Sequence, residues 1–344
     1  MSGALEGIKV VDLSRILAGP YCGQMLSDLG AEVVKVEAPW GDDTRTWGPP
    51  FLDDGTAAYH LSCNRGKSFI QANLKQDPES VMSLINSADV VIENFKPGGL
   101  QSLLGTLPEH LIVCSISAFG TTGPRRDEPG YDLALQALSG IMSITGETDG
   151  MPVKVGVAWI DIITGLYAGN AILAALFHRE RSGEGQVIDL SLWDCAIASL
   201  ANQGQNWLSG NMIPGKLGSG HPNLVPYQAF LAKDGWMVIA AGNDRHWENI
   251  CKAMRLPHIH QTNAERISHR EEIISMLQEV VNNYTMQEVI ELLKGIPCAQ
   301  IQNIQQALED PQSIARQAVW DIDGYATLAS PLRFMSKTPA RPRN

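Results

Sequence analysis

Short Val/Ile-rich runs alternate with helix-period segments through the first half of the chain. Ile8-Lys9-Val10-Val11-Asp12-Leu13 reads as a strand, and a Gly-Pro turn follows it. Gln24-Met25-Leu26-Ser27-Asp28-Leu29 carries a helix that Gly30 ends, and Glu32-Val33-Val34-Lys35-Val36-Glu37 is a second strand. The unit is a βαβ crossover of about thirty residues, which implies parallel strands and a right-handed connection. Pro78 starts a helix through Val81-Met82-Ser83-Leu84-Ile85, and further strands are predicted at Asp89–Glu93 and Leu111–Ile116. Strands of this composition, separated by helices, predict an α/β fold: a doubly wound parallel sheet buried on both faces.

The pattern changes toward the C-terminus. Gln186–Leu192 reads as a strand and residues 193–208 as a helix, so residues 1–208 are assigned to a large domain. Gly210, Pro214, Gly215, Gly218, Gly220 and Pro222 then crowd into 209–224, which reads as a connecting loop. Residues 225–317 form a smaller domain, with a strand at Trp236–Ala241 and helices near 244–255, 269–283 and 286–294. Thr285-Met286-Gln287-Glu288 has capping-box spacing at the start of the last of these helices. The tail, with Pro331, Pro339 and Pro342, is expected to be irregular.

With 344 residues, 44% of them apolar, the chain can bury two cores. A net charge of −11 argues against nucleic acid or an anionic membrane as partner. Six scattered cysteines without a Cys-x-x-Cys pair predict neither a metal site nor a disulfide framework, and suit a reducing compartment. No secretory pattern opens the chain, and no apolar run is read as long enough to span a membrane. The expected location is the cytoplasm.

A first βαβ unit invites a dinucleotide reading, but the turn Arg15-Ile16-Leu17-Ala18-Gly19-Pro20-Tyr21-Cys22-Gly23 lacks the G-x-G-x-x-G pattern. Pro20 also removes an N–H that would hold a pyrophosphate. Glu37 ends the second strand, where a ribose-binding acid would sit, although an acid is ordinary there. No Walker-type loop is present.

The chemistry concentrates on Asp161, which opens the apolar stretch Ile162–Phe177. As a cap it would accept the first free N–H groups of a helix. As an ionised carboxylate in an apolar cleft, favoured by the helix dipole, it could attack a carbonyl carbon.

Several segments together resemble one family. They are Leu5–Ser14 with Ala18-Gly19-Pro20, Gly30–Glu37 with Gly41-Asp42-Asp43-Thr44-Arg45, and Asn64-Arg65-Gly66-Lys67-Ser68. Ala88–Gly98, Gly120, Gly123-Pro124, Gly130-Tyr131-Asp132, Gly185–Leu192 and Asp234-Gly235-Trp236 continue the series in order across roughly residues 5–320. The chain is similar to the class III CoA-transferases, which include formyl-CoA and carnitine CoA-transferases and α-methylacyl-CoA racemase. The resemblance implies a Rossmann-like large domain, a smaller α+β domain, a C-terminal segment at 318–344 returning to the large domain, and an interlocked homodimer. The family's Gly-Glu-His-rich stretch near the C-terminus is missing from the sequence given.

The resemblance implies that Asp161 is the nucleophile of CoA transfer between short, dicarboxylic acids, through an aspartyl anhydride and an aspartyl-CoA thioester. The partners are an acyl-CoA and a free carboxylic acid; coenzyme A is substrate and product, with no tightly bound cofactor and no metal. Leu17, Ala18, Ala72, Asn73, Lys75, Asn94, Phe95, Lys96, Gly130 and Tyr131 match segments lining the CoA channel of formyl-CoA transferase. Ala38 and Ser102 stand where its arginines meet CoA, with Arg45, Arg125 or Arg126 as candidate replacements. Gly218, Ser219 and Gly220 match a mobile glycine-rich loop over the substrate, or else form an ordinary interdomain connection. The racemase branch abstracts a proton with an Asp–His pair; Tyr131 occupies the His position here, and a phenol with a pKa of about 10 suits that task poorly. A catalytically idle CoA-binding protein is the remaining alternative.

Overall fold

The computed structural model describes residues 3–322 and 324–334. The elements run β1 (Lys9–Asp12), α1 (Ala18–Asp28), β2 (Glu32–Glu37), α2 (Ala58–Leu61), β3 (Ser68–Gln71), α3 (Pro78–Asn86), β4 (Val90–Glu93), α4 (Gly99–Leu104), β5 (Ile112–Ser117), α5 (Asp132–Leu138), α6 (Trp159–Ser182), β6 (Val187–Ser191), α7 (Leu192–Ala198) and α8 (Ala201–Gly210). Six strands pair in the order β3-β2-β1-β4-β5-β6, and every pairing is parallel. The chain winds outward from β1 in one direction, then returns and winds the other way from β4. The two halves therefore part at the β1–β4 junction, which makes it the topological switch point of the sheet.

Alternation along the strands builds two cores. Val10, Val33, Val90, Ile92 and Ile112 face one side, packed with Leu26 of α1 and Ile163 and Ile172 of α6. Val11, Val36, Val91 and Val113 face the other, with Val81 and Ile85 of α3 and Leu100 of α4.

α6 departs from the sequence expectation. At 24 residues, with an 18-residue stretch of mean hydropathy 1.6, it is long and apolar enough to cross a membrane by length and composition, yet 50% of that stretch is buried inside the protein. It packs along α1. Gly165 makes the approach possible, since a Cβ there would meet the Ala18 carbonyl oxygen at 2.8 Å; one at Gly169 would meet the Met25 Cε at 2.5 Å. Four residues apart, the two glycines share a face with Asp161.

The described residues group into two compact units. One runs to Met142, resumes over Lys154–Ile213 and takes in the chain from Pro311; the other comprises Ser143–Val153 and Pro214–Asp310. In the second unit β7 (Tyr227–Ala232), β8 (Gly235–Ala240), α9 (Asp244–Met254), α10 (Asn263–Ser268), α11 (Arg270–Val281), α12 (Met286–Leu292), β9 (Cys298–Gln300) and α13 (Ile304–Glu309) follow in order. β7, β8 and β9 form a three-stranded antiparallel sheet against a core of Phe230, Met237, Trp247, Ile273 and Leu277. Thr285 and Glu288 make the capping box at α12.

The sequence places 143–153 in the large domain, whereas it groups with the second unit, where Gly218 donates its N–H to Gly146 O at 3.0 Å; the glycine-rich stretch belongs to that unit from Pro214 onward. After α14 (Pro311–Ala315), β10 (Val319–Ile322) and β11 (Tyr325–Leu328) form a hairpin in the first unit, where Trp320 sits under the Arg65 guanidinium at 5.5 Å. The tail beyond 334, expected to be irregular, lies outside the described residues. All six cysteines are free.

Candidate active site

A cavity of ≈ 300 Å³ opens at the carboxyl ends of β1, β4 and β5, at the switch point. Arg15–Ala18 after β1, Asn94–Pro97 after β4, Ile116–Ala118 at the end of β5, the 126–131 loop, Asp161 and Leu192 line it.

The loop after β1 is held in an unusual shape. Ile16 has φ of 74°, a left-handed conformation that a β-branched residue adopts only when its surroundings impose it. Asn94 supplies one constraint, accepting the Arg15 N–H at 2.9 Å and donating to the Arg15 carbonyl at 2.9 Å. Asp42 accepts the Ile16 N–H at 3.2 Å, and Lys35 donates to the Ser14 carbonyl at 2.7 Å. Behind them is a buried ionic cluster in which Lys35 lies 3.4 Å from Asp42 and 3.9 Å from Asp12, and Lys67 lies 2.9 Å from Asp12. Burial alone would raise the Asp12 carboxyl, but the two ammonium groups and Ser14 bring it down to about 2.

Asp161 lies in the first turn of α6, two residues inside its start. It does not cap the helix: the N-cap position is Ala158, which has no side-chain acceptor. Asp132, the first residue of α5, takes that role from a distance, accepting the Ile160 N–H at 2.8 Å through Oδ1. Its Oδ2 accepts from Gln136 Nε2 at 2.6 Å, and Gln136 Oε1 in turn accepts the Val155 N–H at 2.9 Å. Among the described residues no group hydrogen-bonds to the Asp161 carboxylate. Burial, and then the charge of Asp132, pushes its carboxyl up to about 7. Tyr59, whose phenol is raised to about 12 by burial and then by the charge of Asp161, stays a neutral donor in the same region.

Of the residues picked out from sequence, Asp161, Leu17, Ala18, Asn94, Phe95, Lys96, Gly130 and Tyr131 meet at this one cavity. Ala72, Asn73 and Lys75 are not among its lining residues; they lie on the turn after β3, where Ala72 donates its N–H to Glu37 O at 2.9 Å. Gly218, Ser219 and Gly220 lie in the other unit, in a turn closed by Gly220 N–H to Leu217 O at 2.8 Å, with Ser219 Oγ accepting from Ala229 at 2.9 Å.

Glu37 is engaged by Arg45 at 2.7 Å and His60 at 3.0 Å, so both of its oxygens are already hydrogen-bonded within the protein. Arg126 lines the cavity, whereas Arg125 faces the Phe119 ring at 5.7 Å. The sequence places Asp42 and Asp132 in family-like segments without giving either a role, and it does not single out Gln136 or Tyr59.

The sequence profile of CoA-transferase family III matches residues 5–344, and the chain belongs to that family. It is 43% identical to a succinate–glutarate CoA-transferase of Agrobacterium fabrum, over 98% of this chain and 90% of that protein. It is 40% identical to the succinyl-CoA:glutarate CoA-transferase of Homo sapiens (93% of this chain, 76% of that one), and 40% identical to the succinyl-CoA:mesaconate CoA-transferase of Haloarcula marismortui (98% and 92%). Among solved structures, a CaiB/BaiF family protein from Brucella suis superposes with a TM-score of 0.88 at 42% identity, covering 100% of this chain and 97% of that one. The protein is a family III CoA-transferase.

Proposed function

We propose that the protein moves CoA between short dicarboxylic acids, from a succinyl-CoA-like donor to an acceptor such as glutarate or mesaconate, with Asp161 as covalent carrier. The observation that carries the assignment is the Asp161 carboxylate itself: half-buried on the cavity wall, with no hydrogen-bond partner among the described residues. The relatives named above, acting on succinyl-CoA with glutarate or mesaconate, support the dicarboxylic substrate class.

In the first step an Asp161 oxygen bonds to the thioester carbonyl carbon, the C–S bond breaks and CoA thiolate leaves, giving a mixed anhydride. The thiolate attacks the aspartyl carbonyl and releases the donor acid, leaving aspartyl-CoA. The acceptor carboxylate then attacks this thioester, expelling thiolate once more, and the thiolate takes the acceptor's acyl carbon. That last step frees the Asp161 carboxylate. Every step exchanges carboxylate against thiolate, so no net proton or electron moves.

The first N–H groups of α1 have no intrahelical partner, and Ala18 adjoins the cavity, so these donors suit an oxyanion. Lys96 and Arg126 bring positive charge suited to CoA phosphates. Desolvation protects the anhydride from hydrolysis.

Large apolar side chains are exposed at Phe177 on α6, Leu208 on α8 and Ile213 after it, which suits the expected homodimer. Light scattering on the eluting protein tests it, and a monomer at micromolar concentration refutes it. Six free cysteines suit the cytoplasm.

Asp161→Asn tests the carrier. Transfer should fall to background, and wild-type protein incubated with acyl-CoA and then hydroxylamine should show a mass change on the peptide containing Asp161. Transfer retained by the variant eliminates the mechanism.

A further inference from the structure

We propose that Arg15 selects dicarboxylic substrates, its guanidinium holding the second carboxylate of the acid while the first reacts at Asp161. The proposal rests on the transfer chemistry argued above and adds the group that tells a diacid from a monoacid. Three cationic side chains, Arg15, Lys96 and Arg126, belong to residues lining the cavity. Their positions in the fold separate them. Arg15 is in the loop between β1 and α1, three residues before Ala18, whereas Lys96 follows β4 and Arg126 lies in the loop before α5.

That placement fits the size of the substrate. Ala18 opens α1, whose free N–H groups are the candidate oxyanion donors, so the reacting carbonyl belongs beside it. Consecutive Cα atoms are about 3.8 Å apart, so Arg15 and Ala18 lie no more than about 11 Å from each other. A diacid with two or three methylenes, met by an arginine side chain, bridges such a span. Between the two residues the cavity wall is made by Ile16 and Leu17, apolar residues suited to the methylenes of the acid.

The local structure gives Arg15 a firm base and a free end. Its backbone N–H and carbonyl are both bonded to the Asn94 side chain, each at 2.9 Å. Its guanidinium keeps an ion pair with Asp43, Nη1 to Oδ2 at 3.4 Å, with 55% and 48% of the two side chains exposed. A pair so wet and so long contributes little, and it engages one nitrogen of the fork. The second carboxylate of an entering acid offers the bidentate, charge-assisted contact that Asp43 does not make. A monoacid of the same length ends in a methyl group, leaves the guanidinium with Asp43 and gains nothing from it.

Transfer to glutarate or to valerate, the five-carbon acid that ends in a methyl group, tests the assignment, with succinyl-CoA as donor at a concentration saturating for each variant. The wild type should prefer glutarate. Arg15→Gln should lower kcat/KM for glutarate about 10- to 100-fold and leave that for valerate within about threefold of wild type, so the preference collapses. Asp43→Asn should keep the preference, because the guanidinium meets the substrate and Asp43 only its resting state. Three results overturn the proposal: an Arg15→Gln variant with the wild-type preference, equal losses on both acids, or an Asp43→Asn variant that behaves as Arg15→Gln does and so marks the ion pair as the effective unit. A wild type that uses valerate as readily as glutarate would instead refute the dicarboxylic reading on which the proposal stands.

Discussion

Asp132 Oδ1 accepts the N–H of Ile160 at 2.8 Å, so the residue immediately before Asp161 is fastened to α5. One carboxylate thereby does two things: it caps α6 in place of Ala158, and its charge contributes to the raised pKa of Asp161. Asp132→Asn separates them. The carbonyl oxygen of Asn can still accept from Ile160, but its amide then meets the Gln136 Nε2 donor, at a cost of about 1–3 kcal/mol in stability. With the charge gone, the acid limb of the pH profile of kcat/KM should move to lower pH. A limb that stays in place would show that burial alone sets the Asp161 carboxyl.

In the proposed mechanism Asp161 reacts as carboxylate, so kcat/KM for the wild type should fall as pH drops through about 7. Stability follows the opposite course. The folded-state pKa lies above the 3.8 of an ordinary aspartate, so the folded protein holds this proton more tightly than the unfolded chain. That contribution is complete below about pH 4 and is lost as pH rises to about 7. Asp161→Asn, neutral throughout, should exceed the wild type by roughly 2–4 kcal/mol at pH 8 and by little near pH 4. Urea unfolding at the two pH values measures the gap; a difference independent of pH sinks the argument.

Much of the large unit was legible because its strands are uniform. Lys9–Asp12, Glu32–Glu37, Val90–Glu93, Ile112–Ser117 and Val187–Ser191 all fall in Val/Ile runs bounded by turn residues. Ser68–Gln71 escaped notice because Ser-Phe-Ile-Gln is short and half polar, an edge strand paired on one side only. The role proposed for Asp161 rests on family likeness, since local propensity favours it as a cap. What displaced it from capping is a tertiary bond from Asp132, and nothing in the residues around 161 announces a partner 28 positions away. The same holds for Asp42 and Asn94, whose work is to hold another loop's backbone.

Gly165→Ala should damage the site without touching any reacting group. The new methyl would meet the Ala18 carbonyl oxygen at 2.8 Å and the Tyr21 ring at 3.1 Å, and backbone yields only if α1 moves away from α6. Such overpacking typically costs about 1–3 kcal/mol. Because Ala18 begins α1 and Asp161 stands one turn before Gly165, the strain separates the proposed nucleophile from its candidate oxyanion donors. Transfer should fall by more than the loss of folded protein, as judged from kcat at a temperature where circular dichroism shows the variant fully folded. An unaltered kcat would mean that the α1–α6 spacing does not matter to catalysis.

The strained loop after β1 offers the sharpest test of how the cavity is preorganised. Asn94→Ala removes both hydrogen bonds to Arg15, worth about 1 kcal/mol each, and frees Ile16 to leave its left-handed conformation. The loss should appear as a drop of roughly 10- to 100-fold in kcat/KM. Ile16→Gly acts on the same balance from the other side, since glycine adopts positive φ without steric cost. Alone it should leave transfer within a few-fold of wild type. Combined with Asn94→Ala it should restore a large part of the lost activity, because the loop no longer needs forcing. A double-mutant cycle on kcat/KM reads the coupling directly. Strictly additive losses would show that Asn94 serves the ligand itself and that the backbone shape at Ile16 is incidental.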